Sequence, residues 1–182
     1  MNQIKVLDKT LKLVPGNIKY FKSSCELLDS IKLDFKERNI DIYQDGYPNY
    51  DIIKYDLENK DCTFLLVDEN EKVLAQITST PDELRSIFEE NEVQNILKHY
   101  NLPDIKYVGL SRLFVHKSLR KHGIATYLIK KMEEKYKGET FIFFVHIVNK
   151  NALKLYDELG FKNLGIYNYV FGEFYTFVKE NF

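Results

Sequence analysis

The chain has 182 residues, 26 of them basic and 27 acidic, for a formal net charge of −1, and 45% of it is hydrophobic. A chain this long and this apolar can bury a core of its own, which excludes intrinsic disorder and suits a single domain over residues 1–182. The near-neutral balance argues against a general nucleic-acid binder, which would be basic overall. Cys25 and Cys62 have neither CxxC nor Cys-His spacing, and the four histidines are scattered, so no metal site or disulfide scaffold is expected. The chain begins MNQIKVLDKT, without an apolar run of signal-peptide length, and no stretch approaches the roughly 20 apolar residues that span a bilayer. A cytoplasmic protein with no membrane partner is the expectation.

In chain order, Gln3 to Val14 alternates apolar and charged residues and reads as one half-exposed strand. Pro15-Gly16-Asn17 punctuates. Ile18 to Arg38 reads as an amphipathic helix, with Ile18, Phe21, Cys25, Leu28 and Ile31 on one face. That placement makes Cys25 a buried structural thiol. Gln44 to Asn49 is dense in turn residues, and a short helix over Tyr50 to Glu58 follows. Cys62–Val67 and Lys72–Ser79 read as a hairpin around residues 68–71. Thr80-Pro81-Asp82-Glu83 has the form of a capping box with Pro at the first helical position, predicting a helix to Tyr100.

Ile105 to Val115 reads as a long strand and Gly123 to Lys137 as a helix. Phe141 to Val148, FIFFVHIV, is nearly unbroken in its apolar character, as strands buried on both faces are. These three elements form a β-α-β unit. Asn149 to Leu159 reads as a helix with Asn149 as N-cap and Gly160 as its stop, and Phe161 to Lys179 as two aromatic-rich strands. The order β-α-α-β-β-α-β-α-β-α-β-β is that of a mixed α/β (α+β) domain, with antiparallel strands first and one parallel crossover later, rather than a doubly wound sheet.

The stretch that carries chemistry is the turn between strand and helix. From Ser111 to Ala125 stand four basic residues (Arg112, Lys117, Arg120, Lys121), two histidines and no acid. A helix N-terminus offers unpaired backbone N–H groups and a partial positive charge, and the small residues Gly123 and Ala125 let an anion come close to the backbone. The pattern suits a pyrophosphate cradle in which Arg120 and Lys121 neutralise charge. Neither GxxxxGK[ST] nor GxGxxG is present. The ordinary structural reading is a solvated basic turn ahead of an unremarkable helix.

Here the sequence resembles the GNAT family of N-acetyltransferases. Arg120-Lys121-His122-Gly123-Ile124-Ala125 stands on the family's Arg/Gln-x-x-Gly-x-Gly/Ala signature, and Asn149 to Phe161 resembles its Asn-x-x-Ala…Tyr…Gly-Phe segment. The resemblance implies a mixed central sheet in which two parallel strands splay to bind CoA, and acetyl-CoA as cosubstrate. It implies that backbone groups of Leu113, Phe114 and Val115 pair with the pantetheine. It further implies that backbone amides of Arg120, Lys121, His122, Gly123, Ile124, Ala125 and Thr126 hold the pyrophosphate, that Asn149 contacts the CoA arm, and that Tyr156 protonates the leaving thiolate. The ordinary reading of Tyr156 is a core aromatic on the face of Ala152 and Leu159. Where family members often carry Pro and Gly, this chain has Lys117 and Lys121, so an ordinary helical approach is expected at Lys121.

The acceptor side is less specific. His116 reads as a turn cap more readily than as a base, and His146 as a core histidine. The family shapes its acceptor pocket with the connection between the first two helices, here the Tyr-rich segment around Tyr43–Tyr50. Glu26 to Asp61 carries ten acidic and five basic residues, a field that suits a cationic amine of a small molecule or peptide. A solvated helix face is the bland alternative. The function expected is acetyl transfer to a primary amine in a ternary complex. An acyl-CoA-binding regulator without activity is the alternative, and a nucleic-acid module is disfavoured. The aromatic C-terminal strands are compatible with a homodimer.

Overall fold

The computed structural model describes residues 3–59, 61–169 and 171–181. The chain divides into two compact units. The first runs to Thr78 and takes in Arg112–Lys131; the second comprises Ser79–Ser111 and the chain from Met132 onward.

In the first unit, β1 (Gln3–Val6) and β2 (Lys9–Pro15) form a hairpin where one strand was expected. Leu7 and Asp8 both take left-handed conformations, φ 49° and 60°, which close a two-residue turn. The signal was present: the apolar positions switch from even (Ile4, Val6) to odd (Leu11, Leu13), and one continuous strand would keep its parity. β2 continues antiparallel to β3 (Thr63–Val67), and β3 to β4 (Val73–Thr80).

A 3₁₀ turn over Ile18–Tyr20 precedes α1 (Phe21–Glu37). With three residues per turn it carries Ile18 off the helical stripe, so Ile18 is 49% exposed rather than on the apolar face. Asn49 Oδ1 accepts the Ile52 N–H at 3.0 Å and starts α2 (Tyr50–Glu58). Cys25, Leu28 and Ile31 of α1 and Ile53 and Leu57 of α2 pack with Leu65, Val67, Val73 and Phe114. Each such side chain stabilises the fold by about 1.5–3 kcal/mol relative to exposure. Burial pushes the Cys25 thiol up to about 11, with Asp29 and Glu26 adding to it, as befits an inert core cysteine.

The second unit holds α3 (Glu83–Ile87) and α4 (Glu90–Tyr100) in place of the single helix expected. Thr80 is still in β4, and Asp82 precedes α3 from a left-handed conformation (φ 54°) with no side-chain cap bond. Between the helices Phe88 is extended and buried, stacked on Tyr169 at 5.4 Å and edge-on to Phe144 at 5.8 Å. Burying that ring outweighs one more turn of helix. Glu83, also buried, lies over Gly109, where a Cβ would stand 2.1 Å from its carboxylate oxygen. A side chain at this position would have to displace Glu83.

The strands of this unit are ordered β5-β6-β8-β7. β5 is Tyr107–Val115, whose last four residues belong to the first unit; β6 is Thr140–His146, β7 Lys162–Tyr169 and β8 Gly172–Glu180. β6 pairs antiparallel with β8 along all its length, from Thr140↔Glu180 to His146↔Phe174. Its parallel ladder with β5 consists, among the described residues, of Tyr107↔Thr140 and Val108↔Phe141. α5 (Ile124–Lys135) leads to β6, and α6 (Lys150–Glu158) follows it, with Gly160 at φ 78° ending α6 as expected.

Candidate active site

The first unit carries the strand–turn–helix segment. At the end of β5, His116 N donates to Leu74 O at 2.9 Å, pinning the turn to β4. The His116 ring caps the 3₁₀ turn Lys117–Leu119: its Nδ1 lies 2.8 Å from Ser118 Oγ and accepts the Ser118 N–H at 3.3 Å. Burial, then the nearby Lys72 and Lys117 charges, hold this imidazole below its ordinary value, so it is a neutral cap.

Lys121 adopts φ 64° and Gly123 φ 75°. The ordinary helical approach expected at Lys121 is therefore not what forms. Lys121 is left-handed, with the lysine bearing the strain. At Gly123 nothing lies within 4 Å of where a Cβ would stand, so its backbone is open to solvent. The helical ladder of α5 begins with Tyr127 N donating to Gly123 O at 2.9 Å. The amides of Ile124, Ala125 and Thr126 precede it, at the positive end of the helix. Buried Leu119 and Ile124 anchor the turn while Lys117, Lys121 and His122 are exposed.

Free of acids in its own sequence, the turn meets two acids in space. Arg120 Nη1 donates to Asp34 Oδ2 of α1 at 2.8 Å, and Arg38 donates to the same oxygen at 3.2 Å. Burial alone would raise the Asp34 carboxyl; the two guanidinium groups outweigh it and hold it below the usual carboxylate value. Arg112, at φ 46°, donates from Nε to Asp56 Oδ2 and from Nη2 to Asp56 Oδ1 at 2.8 Å. Asp56 is 1% exposed and also accepts from Thr78 Oγ1 at 3.2 Å. Arg112 Nη1 donates to the Tyr47 hydroxyl at 3.1 Å. Two of the four basic residues in the segment are thus paired, with acids 86 and 56 residues away. Asp34 and Asp56 were legible only as part of a charge count, because no local pattern reveals a partner so distant in sequence.

Tyr43, half-buried and edge-on to Phe35 and Phe114 at 5.8 and 5.9 Å, seats the connection between α1 and α2 on the core. Outside it, Leu28, Asp29 and Lys32 of α1 and Pro48–Asp51 line an open cleft of about 530 Å³. Tyr50 donates its hydroxyl proton to Asp29 across that cleft at 2.7 Å.

Asn149 and Tyr156 lie on the second unit's α6. Asn149 caps the helix as expected, its Oδ1 accepting the Ala152 N–H at 3.3 Å. Tyr156 is 6% exposed, its ring packed on Phe143, Phe161 and Phe177 at 4.5, 5.6 and 5.7 Å. His146 lies edge-on to Phe174 at 5.1 Å. Among the described residues no group of three or more His, Cys, Asp or Glu could hold a metal, and no helix is long and apolar enough to cross a membrane.

In the first unit, the N-terminus of α5 with Lys117 and Lys121 beside it has the chemistry of an anion site. The sequence matches the acetyltransferase (GNAT) family over residues 27–161, and the chain belongs to that family. A search of curated proteins found no match. Among solved structures, a GNAT-family acetyltransferase from Streptococcus agalactiae superposes with a TM-score of 0.74 at 17% identity, over 93% of this chain and 95% of its own. An N-acetyltransferase from Staphylococcus aureus gives 0.64 at 18% identity, over 94% and 99%. NAA60 of Arabidopsis thaliana, solved with acetyl-CoA, gives 0.67 at 16% identity, over 93% and 98%.

Proposed function

We propose that residues 1–182 act as one N-acetyltransferase domain that takes acetyl-CoA as cosubstrate. The acetyl group passes directly, in a ternary complex, to a primary amine of a small molecule or peptide. The observation that carries this reading is the N-terminus of α5 on the matched motif, where left-handed Gly123 leaves the amides ahead of Tyr127 open.

That geometry fits a pyrophosphate. The amides from Lys121 through Thr126 supply the cradle and Lys117 and Lys121 the counter-charge; Arg120 stands at its edge, its own amide donating to Lys117 O at 3.4 Å and its guanidinium held by Asp34. Leu113, Phe114 and Val115 offer backbone groups to the pantetheine. Asn149 Oδ1 is used by the helix cap, which leaves Nδ2 to donate to the CoA arm. Acetyl-CoA, when bound, supplies a thioester whose carbonyl carbon a neutral amine attacks. Tyr156 is the proton donor to the departing sulfur, a phenol being protonated at neutral pH and its packed ring holding it in place. The amine loses its proton to solvent.

Calorimetric titration with acetyl-CoA and an assay of free thiol over a panel of amines test this. Saturable binding with amine-dependent thiol release is expected. Tyr156→Phe should lower kcat by about a hundredfold with acetyl-CoA affinity nearly unchanged. Binding without thiol release for any amine would make the protein an acyl-CoA-binding regulator, and no binding at millimolar ligand would end the reading.

A further inference from the structure

Arg112 is a charged residue in the middle of a strand, in a backbone conformation that L-residues avoid, with φ 46°. Its guanidinium is nevertheless fully engaged. Two nitrogens meet both oxygens of Asp56, and the third meets Tyr47. Asp56 is fixed in turn: its carboxylate accepts from Thr78, and its own carbonyl accepts the Thr63 hydroxyl at 2.8 Å. The fork of Arg112 therefore ends on a rigid anion, and both partners lie in the same compact unit. The residues immediately after it are Leu113, Phe114 and Val115.

We infer that the Asp56–Arg112 pair is a positioning clamp for the cofactor strand. It holds the left-handed backbone at residue 112 and thereby aims the backbone groups of Leu113–Val115 that receive the pantetheine. Neither side chain touches the cosubstrate. A left-handed residue breaks the two-residue alternation of a strand and redirects everything after it. Relaxing residue 112 to ordinary β geometry would turn the next three residues. The bidentate pair offsets the steric cost of the left-handed form. The inference rests on the role proposed above for Leu113–Val115.

The test separates the backbone from the charge. Asp56→Asn with Arg112→Ala removes the pair without stranding a buried charge. Asp56→Asn with Arg112→Gly removes it too, but glycine adopts φ 46° without steric cost. CoA affinity is measured by calorimetry for both and for the wild type, with thermal melts alongside. The alanine pair should bind CoA about tenfold more weakly than wild type, and the glycine pair within about threefold of it. Wild-type affinity in the alanine pair, or equal loss in both pairs, would overturn the clamp. Should the alanine pair not fold, Asp56→Asn alone decides: weakened CoA binding supports the clamp, and unchanged binding refutes it. A wild type that binds no CoA would remove the cofactor reading and the clamp together, whereas binding by wild type with indifferent variants removes the clamp alone.

Discussion

In the first unit, the Arg112–Asp56 and Arg120–Asp34 pairs have the same chemistry and differ physically. Arg112 and Asp56 are 13% and 1% exposed, in a bidentate arrangement with Thr78 completing the carboxylate. Arg120 and Asp34 are 31% and 13% exposed, joined by one hydrogen bond and shared with Arg38. The first pair has little water to fall back on, so each partner depends on the other. The second is partly solvated and can exchange its partner for water. Burial, not the chemical identity of the pair, therefore decides which one holds backbone geometry and which one only trims the charge of the turn.

Four measurements would break or sharpen that contrast. The largest effect is expected for Arg112→Ala, which leaves Asp56 charged and buried; it should cost about 3–5 kcal/mol in chemical denaturation. A loss comparable to that of Arg120→Ala would erase the distinction. Gly123→Ala should cost about 1 kcal/mol of stability, since its φ of 75° is strained for any L-residue although the space is open. A neutral result would mean that the turn can rearrange.

Asp34→Asn comes next, at under about 1 kcal/mol near neutral pH. Its sign with pH is fixed. Asp34 is held below the ordinary carboxylate value, so its contribution is present above that value and lost as pH falls through the lowered one. The variant should show a flatter loss of stability than wild type below about pH 4. An unchanged acid limb would show that the pair contributes nothing. The smallest effect concerns His116. Its imidazole, held low by burial and neighbouring lysines, favours the neutral form, so it supports the fold above the ordinary histidine value and loses that support as pH falls below it. Its NMR titration should centre below 6.5; a midpoint at or above that would contradict the cap geometry.

Much of the fold was legible. The helix over Tyr50–Glu58 appears with the bounds expected, because the turn residues that precede it end at Asn49, which caps it in space. Asn149 and Gly160 frame α6 for the same local reason. The misreadings have physical sources. The β1–β2 turn has neither Gly nor Pro, so punctuation did not mark it, and only a switch of parity did. The break between α3 and α4 follows from where Phe88 finds other aromatic rings, a matter of tertiary packing. Lys121 was read from its intrinsic preference, yet the turn around it imposes a left-handed conformation.

The near-neutral charge is a similar case. The sequence by itself determined that the basic residues crowd between Ser111 and Ala125 and the acidic ones between Glu26 and Asp61, and its two motifs, in order around a buried strand, determined the family. Those are properties of local spacing, which a chain carries into any conformation. Tertiary structure alone decided that Asp34 and Asp56 would reach across and neutralise Arg120 and Arg112. In the function proposed here, that leaves the helix amides, Lys117 and Lys121 to face the anion. Pairing at such separations depends on which helix packs on which strand, and that is set by the burial of apolar faces rather than by the charges themselves.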